Sequence, residues 1–255
     1  MNDLKTRMRG SSLSKVPEVN LPFWVIKIMA TTVGETAADL LNMKLGLGLP
    51  KITVVMAALL AGSLAVQFRL PTYRPSAYWL VVVFISVVGT LITDNLTDGL
   101  GISLALSTVA FLVALFITFL FWFIFEGSIS IHTITTPRRE AWYWLAILFT
   151  FALGTAAGDL LAEKIELGYL LSAVLFLAVI GMVALGQFWL GLQPVLGFWL
   201  AYILTRPLGA SVGDLLCQPR DNGGLGLGTV PVTFAFLIVI AFVVRLTRPD
   251  QIDQS

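Results

Sequence analysis

Residues 22–39 read PFWVIKIMATTVGETAAD, and the pattern returns as AYWLVVVFISVVGTLITD over 77–94, WYWLAILFTFALGTAAGD over 142–159 and GFWLAYILTRPLGASVGD over 197–214. In every copy a tryptophan is followed ten residues later by glycine and fifteen residues later by aspartate: Trp24, Gly34 and Asp39; Trp79, Gly89 and Asp94; Trp144, Gly154 and Asp159; Trp199, Gly209 and Asp214. A carboxylate in a segment apolar enough to cross a membrane is costly, so four of them in register ask for more than core packing as an explanation.

The surroundings of the motif are a membrane protein's. The chain of 255 residues is 57% hydrophobic and 12% charged, with a mean hydropathy of +0.89. Soluble domains are closer to half apolar and a quarter charged. Eight runs approach the 20 or so apolar residues that a membrane helix needs, at about 22–41, 50–69, 77–97, 102–125, 142–162, 168–190, 195–216 and 229–246. This predicts an all-α, polytopic membrane protein with one transmembrane domain over 21–246. It is flanked by a polar N-terminal tail, 1–20, and a short C-terminal tail, 247–255. The net charge of +1 is dispersed over loops and tails, which excludes a nucleic-acid-binding stripe. The single cysteine, Cys217, rules out an intrachain disulfide and reads as a packed thiol.

The copies start at Trp24, Trp79, Trp144 and Trp199, so the chain divides into repeats of two helices each, about 21–70, 76–126, 141–190 and 196–246. Two crossings per repeat return the chain to its starting side. All four motif helices then run in the same direction, around a central axis along the membrane normal. With eight crossings both termini share a side, which carries Lys5, Arg7, Arg9, Lys15, Arg69, Arg74, Arg138, Arg139, Arg245 and Arg248 against Lys44, Lys51, Lys164 and Arg220 opposite. That imbalance places both termini in the cytoplasm, and the protein in a bacterial inner membrane. At 1.5 Å per residue each aspartate lies roughly 22 Å beyond its tryptophan. The tryptophans are expected at the cytoplasmic interface, and the aspartates at one depth in the outer half of the membrane.

Before each aspartate runs a small-x-x-x-small stripe, with Gly34, Gly89, Gly154, Gly158, Gly209 and Gly213 as its glycines, which lets membrane helices approach closely. The residue after the motif glycine differs in each copy: Glu35, Thr90, Thr155 and Ala210. Glu35, Asp39, Asp94, Asp159 and Asp214, supported by the hydroxyls of Thr36, Thr90, Thr93 and Thr155, make an oxygen-rich set without sulfur or imidazole, because His132 lies in a loop. Such donors suit hard cations or protons. Five acids against one intramembrane arginine, Arg206, cannot all be ionised and unpaired, so they bind a cation, pair with Arg206 or hold protons. Lys27, three residues from Trp24, is expected to snorkel to the interface. Asp98, Glu163 and Glu166 fall on the outer side next to the motif helices and read first as a solvated loop face, with an outer vestibule for cations as the sharper alternative. The glycine-rich stretch Gly223–Gly228 follows a membrane helix and lacks the Lys-Ser/Thr ending of a phosphate loop.

Phe23-Trp24 through Thr32, Gly34-Glu35-Thr36 and Asp39, with their counterparts in the other copies, make the chain resemble a bacterial family of membrane proteins. That family is defined by four tandem repeats, each with two transmembrane helices and a characteristic tryptophan, and the resemblance runs from Pro22 to Leu246. It implies the architecture and carries no assigned activity. The fourth repeat departs most, with Ala210 after its glycine and a glycine-rich insertion after Asp214.

These features predict a transporter or exporter of a hard cation, a divalent one with Mn²⁺ first, using the five acids as ligands or proton carriers. No enzyme activity or required cofactor is expected beyond a bound divalent cation. The expected partners are membrane lipid, the cation and other copies of the chain. A scaffold or sensor in which carboxyl hydrogen bonds hold the helices together is the alternative. An intramembrane aspartyl protease fits less well, because its Gly-x-Gly-Asp element here reads Ala156-Ala157-Gly158-Asp159 and Ser211-Val212-Gly213-Asp214.

Overall fold

The computed structural model of the chain describes residues 14–45 and 48–247. Lys5, Arg7, Arg9 and Arg248, which enter the orientation count, lie outside the described residues, as do most of the two tails. Every regular element described is helical, and eight long helices carry the fold: α1 (Leu21–Leu45), α2 (Leu49–Arg69), α3 (Pro75–Asp94), α4 (Leu104–Glu126), α5 (Pro137–Asp159), α6 (Tyr169–Trp189), α7 (Pro194–Cys217) and α8 (Thr229–Leu246). Proline opens α3, α5 and α7, where its missing N–H would have had no partner in any case. Asn20 Oδ1 accepts from Phe23 N, and Thr136 Oγ1 accepts from Arg139 N, capping α1 and α5. Seven of the eight are long and apolar enough to span a membrane. The remaining helix, α1, has 25 residues. Its length suffices, and Lys27, Glu35 and Asp39 within it lower its hydropathy.

The motif helices α1, α3, α5 and α7 form a closed ring in that order: α1 packs on α3 and α7, and α5 packs on α3 and α7. They run parallel, since their tryptophan ends meet in one aromatic cluster and the residues after their glycines meet further along the axis. The second helix of each repeat touches its own first helix sparsely at most. Instead α2 lies on α3, α4 on α5 and α6 on α7, and α8 closes the circle by packing on α1. Thr233 Oγ1 on α8 donates to Thr36 Oγ1 on α1, 2.7 Å away, as part of that closure.

The outer helices turn large apolar side chains outward, among them Val54, Phe116, Phe123, Leu177 and Phe242. An apolar surface this continuous belongs in lipid. At the tryptophan end a buried polar knot ties the segment before α1 to the ring. Lys15 Nζ is 2.7 Å from Glu140 Oε2 and 3.0 Å from the Phe68 carbonyl oxygen, while Gln67 Nε2 donates to Glu140 Oε1 at 3.1 Å. Satisfying every buried charge in this way is what makes it tolerable away from water.

Candidate functional site: an axial column of four-residue layers

Looking down the ring, side chains four residues apart on each motif helix share a face and stack as layers about 6 Å apart. The first layer, just before the tryptophans, is Phe23, Tyr78, Tyr143 and Phe198, all buried. The second is Lys27, Val82, Ile147 and Tyr202, and the third Thr31, Ser86, Phe151 and Arg206; none of these eight is accessible to solvent. The fourth is Glu35, Thr90, Thr155 and Ala210, also buried. The fifth is Asp39, Asp94, Asp159 and Asp214, of which the first three are half-buried and Asp214 is buried.

The aromatic end is closed. Tyr78 and Tyr143 hydroxyls are 2.5 Å apart, and the ring of Phe23 contacts those of Trp79, Phe198 and Tyr202. The motif tryptophans belong to this packing: Trp79, Trp144 and Trp199 are each 3% exposed, and Trp24 is half-buried. Trp199 Nε1 donates to the Ile129 carbonyl at 3.0 Å. Their rings therefore face neighbouring helices, where a lipid-interface belt would turn them outward.

Arg206 crosses the axis from α7. Its Nη1 donates to the Thr31 carbonyl at 3.1 Å, and around Nη2 gather Glu35 Oε2 at 2.8 Å, Thr155 Oγ1 at 2.6 Å and Thr90 Oγ1. One side chain of the fourth repeat thus reaches the residue after the motif glycine in each of the other three. Pro207 follows it; a proline inside a helix removes a backbone hydrogen bond and bends the chain. Guanidinium is suited to this position, offering several donors in a fixed plane with a charge that does not leave at physiological pH.

The glycines bring the helices close enough for that reach. A Cβ on Gly34 would overlap Ser86, one on Gly89 would lie 2.6 Å from Phe151 Cβ, one on Gly154 would overlap Arg206, and one on Gly209 would lie 2.9 Å from the Thr32 backbone nitrogen. Each motif glycine therefore receives the third-layer region of the next helix round the ring. Gly158 and Gly213 sit one turn further along beside α7 and α1, in ordinary to tight contact. Thr93 Oγ1 donates to the Ala152 carbonyl at 3.0 Å, tying α3 to α5. Thr90 and Thr155 face the axis, whereas Thr93 and Thr36 bond between helices beside it.

Lys27 does not snorkel. It is fully buried, and its Nζ lies 3.9 Å from the Phe151 ring centroid and 4.1 Å from that of Tyr202. The expectation failed because Lys27 lies one turn after the buried Phe23, on the face that α1 turns to the axis, and not on the half-buried face of Trp24.

The aspartate end is arranged differently. α3 ends at Asp94 and α5 at Asp159, and each continues into a five-residue π-helical turn, Asn95–Gly99 and Leu160–Lys164. Such turns are uncommon and concentrate at functional positions. Glu35 lies within electrostatic range of all four aspartates, and Asp98 and Glu163 within range of Asp39. The four motif carboxylates make no hydrogen bond or ion pair with another described side chain. Among the described residues no three His, Cys, Asp or Glu side chains are close enough to hold one metal ion. The five acids thus converge electrostatically without forming a ready-made coordination shell.

The ring, its lipid-facing outer helices and its acid-ended axis define a polytopic helical membrane protein built from four two-helix repeats. Residues 22–73, 77–128, 142–192 and 197–248 each match a family described as Repeat of Unknown Function (DUF347). The chain belongs to that family. No curated protein and no solved structure matches it.

Proposed function

We propose that the protein transports a hard divalent cation, with Mn²⁺ as the first candidate, through the axis of the ring. The observation that carries this reading is the acidic end. Four repeat-equivalent aspartates are held within electrostatic reach of one another and of Glu35, yet none is bonded to another described side chain. Carboxylates that held helices together would be hydrogen-bonded across them, so the scaffold reading draws little support from this arrangement. Oxygen ligands of this kind suit Mn²⁺, Mg²⁺ and Ca²⁺, and cation binding is the event that draws the carboxylates together.

In this reading the aspartate end opens to the outside and the aromatic end to the cytoplasm of a bacterial inner membrane, in keeping with the distribution of Lys and Arg. The Arg206–Glu35 pair, with Thr90 and Thr155, lies between the two and must part for a cation to pass. The basal state is closed on the aromatic side, and no catalytic step is assigned to the acids.

The test is flux of Mn²⁺, Mg²⁺ and Ca²⁺ into liposomes containing the purified protein, together with metal tolerance of cells that lack it. Asp94→Asn removes one charge and retains shape, and is expected to lower flux by about tenfold or more, as loss of one charged ligand does at a small site. Flux and tolerance equal to the wild type would refute the assignment.

A further inference from the structure

Between the aromatic end and the aspartates the axis holds two cationic side chains and one buried carboxylate. Glu35 is taken by Arg206. Lys27 is left over: its Nζ has no hydrogen-bond partner among the described residues, although the side chain is entirely enclosed. The equivalent positions in the other repeats are Val82, Ile147 and Tyr202, so packing at this level does not call for an amine. Two aromatic faces recover part of the cost of burying an ammonium, but they supply no acceptor for its protons. Of the two kinds of cationic side chain, a buried lysine is the one that can give its charge up.

The surroundings leave Lys27 little else to respond to. From α7 come Arg206 and Tyr202, from α3 Tyr78, and from α5 Tyr143 one layer toward the aromatic end, with Glu35 two turns away on its own helix. The Phe151 ring lies under Lys27 Nζ and also 5.8 Å from the Arg206 guanidinium carbon, so the two cations share one aromatic neighbour. α8, packed outside α1, carries only Arg245, at the tryptophan end beside Trp79, and α2, which touches α1 sparsely, carries Lys51 and Arg69 at its two ends.

We propose that Lys27 is the proton-carrying residue of the transport cycle, its ammonium and a cation on the axis excluding one another. This rests on the transporter reading above. When a divalent cation moves inward past the aspartates, Lys27–NH₃⁺ becomes Lys27–NH₂ and one H⁺ leaves the axis; when the cation departs, the amine takes a proton back. No electrons move and no covalent bond other than N–H changes. One proton exchanged per divalent cation carries one net positive charge across the membrane per turnover, so both pH gradient and membrane potential drive the exchange.

The experiment uses the full chain in liposomes, with Mn²⁺ entry and internal pH recorded together. In the wild type, Mn²⁺ entry is expected to be coupled to proton exit and to be accelerated by an outwardly directed proton gradient. Lys27→Arg fixes the charge and is expected to reduce Mn²⁺ flux by about tenfold or more. Lys27→Met removes the exchangeable proton; Mn²⁺ should still enter, with no accompanying proton movement. Should Lys27→Arg fail to fold, Lys27→Met alone decides. Mn²⁺ flux without proton movement in the wild type, or coupling retained in Lys27→Met, would overturn the role of Lys27 and leave the transporter reading standing. Absence of flux for every cation in the wild type would overturn both.

Discussion

Arg206→Met is expected to destabilise the folded protein by about 3–5 kcal/mol, the range for breaking a buried ion pair from one side. The loss comes mainly from what the substitution leaves behind. Glu35 Oε2 would face the axis without the Nη2 donor that now lies 2.8 Å from it, in a layer closed to water. The two threonines are less affected, because Thr90 Oγ1 and Thr155 Oγ1 already donate to the Ser86 and Phe151 carbonyls of their own helices. The decisive comparison adds Glu35→Met. With both partners apolar no charge remains buried, and the double variant should recover most of the lost stability although transport stays absent. Thermal unfolding in detergent, measured for the two single variants and the double one, gives the interaction directly. Equal and additive losses would show that the pair does not hold the ring. Arg206→Lys should resemble the methionine variant more than the wild type, since an ammonium lacks the fixed fork by which Nη1 reaches the Thr31 carbonyl while Nη2 serves Glu35.

The second large effect is a reversal of sign for one chemical change. Gly154→Ala and Gly209→Ala put a methyl group where Arg206 with Pro207, or Thr31 with the Thr32 backbone, already stands. The Thr32 nitrogen is backbone, and Arg206 Cβ and the Pro207 ring are fixed directly to it, so neither neighbour can move aside as a flexible side-chain end can, and each variant is expected to cost about 1–3 kcal/mol or more. Gly62→Ala in α2 and Gly181→Ala in α6 meet nothing within 4 Å. There alanine gains only its better helix propensity, and each variant should be more stable than the wild type by up to about 1 kcal/mol. Unfolding temperatures of the four variants check this. Destabilisation by Gly62→Ala as large as by Gly154→Ala would mean that the ring glycines are not special.

Part of this was legible in the sequence because a spacing kept through four copies is insensitive to helix boundaries. The tryptophan-to-aspartate interval predicts parallel motif helices with their acids at one level, and the repeat periods predict two helices per unit; both are found. The small stripe around Gly34, Gly89, Gly154 and Gly209 was likewise readable as close approach. The direction in which the tryptophans face was not, because amphipathic rings suit a lipid interface and a bundle interior alike, and the inward course of Lys27 was misjudged with them. A signal existed in the residue preceding each tryptophan: Phe23, Tyr78, Tyr143 and Phe198 are all aromatic. Followed in steps of four, they lead through Lys27 and Arg206 to Glu35 and the aspartates.

The partner chosen by each outer helix left no mark on the sequence at all. α2, α4, α6 and α8 are apolar along most of their lengths, and nothing in their composition distinguishes the motif helix before them from the one after. The distinction is topological. A helix that lies on the following repeat makes each unit depend on its successor, and a fragment of one or two repeats would end in an outer helix with no ring helix to lie on.

That handing-on, completed when α8 reaches α1, makes the order of the repeats a cycle with an arbitrary starting point. Val16, Glu18, Asn20 and Phe23, entering α1, and Thr247, leaving α8, line one cavity of about 300 Å³, so the two ends of the fold lie side by side. Joining them through a short linker and opening the chain instead within 127–136, between α4 and α5, would leave every helix its present neighbours. The bundle then has a third repeat that comes first in the chain and a second that comes last, and along the axis the repeats are told apart by the side chains they send there: a lysine and a glutamate from one, an arginine from its neighbour across the seam.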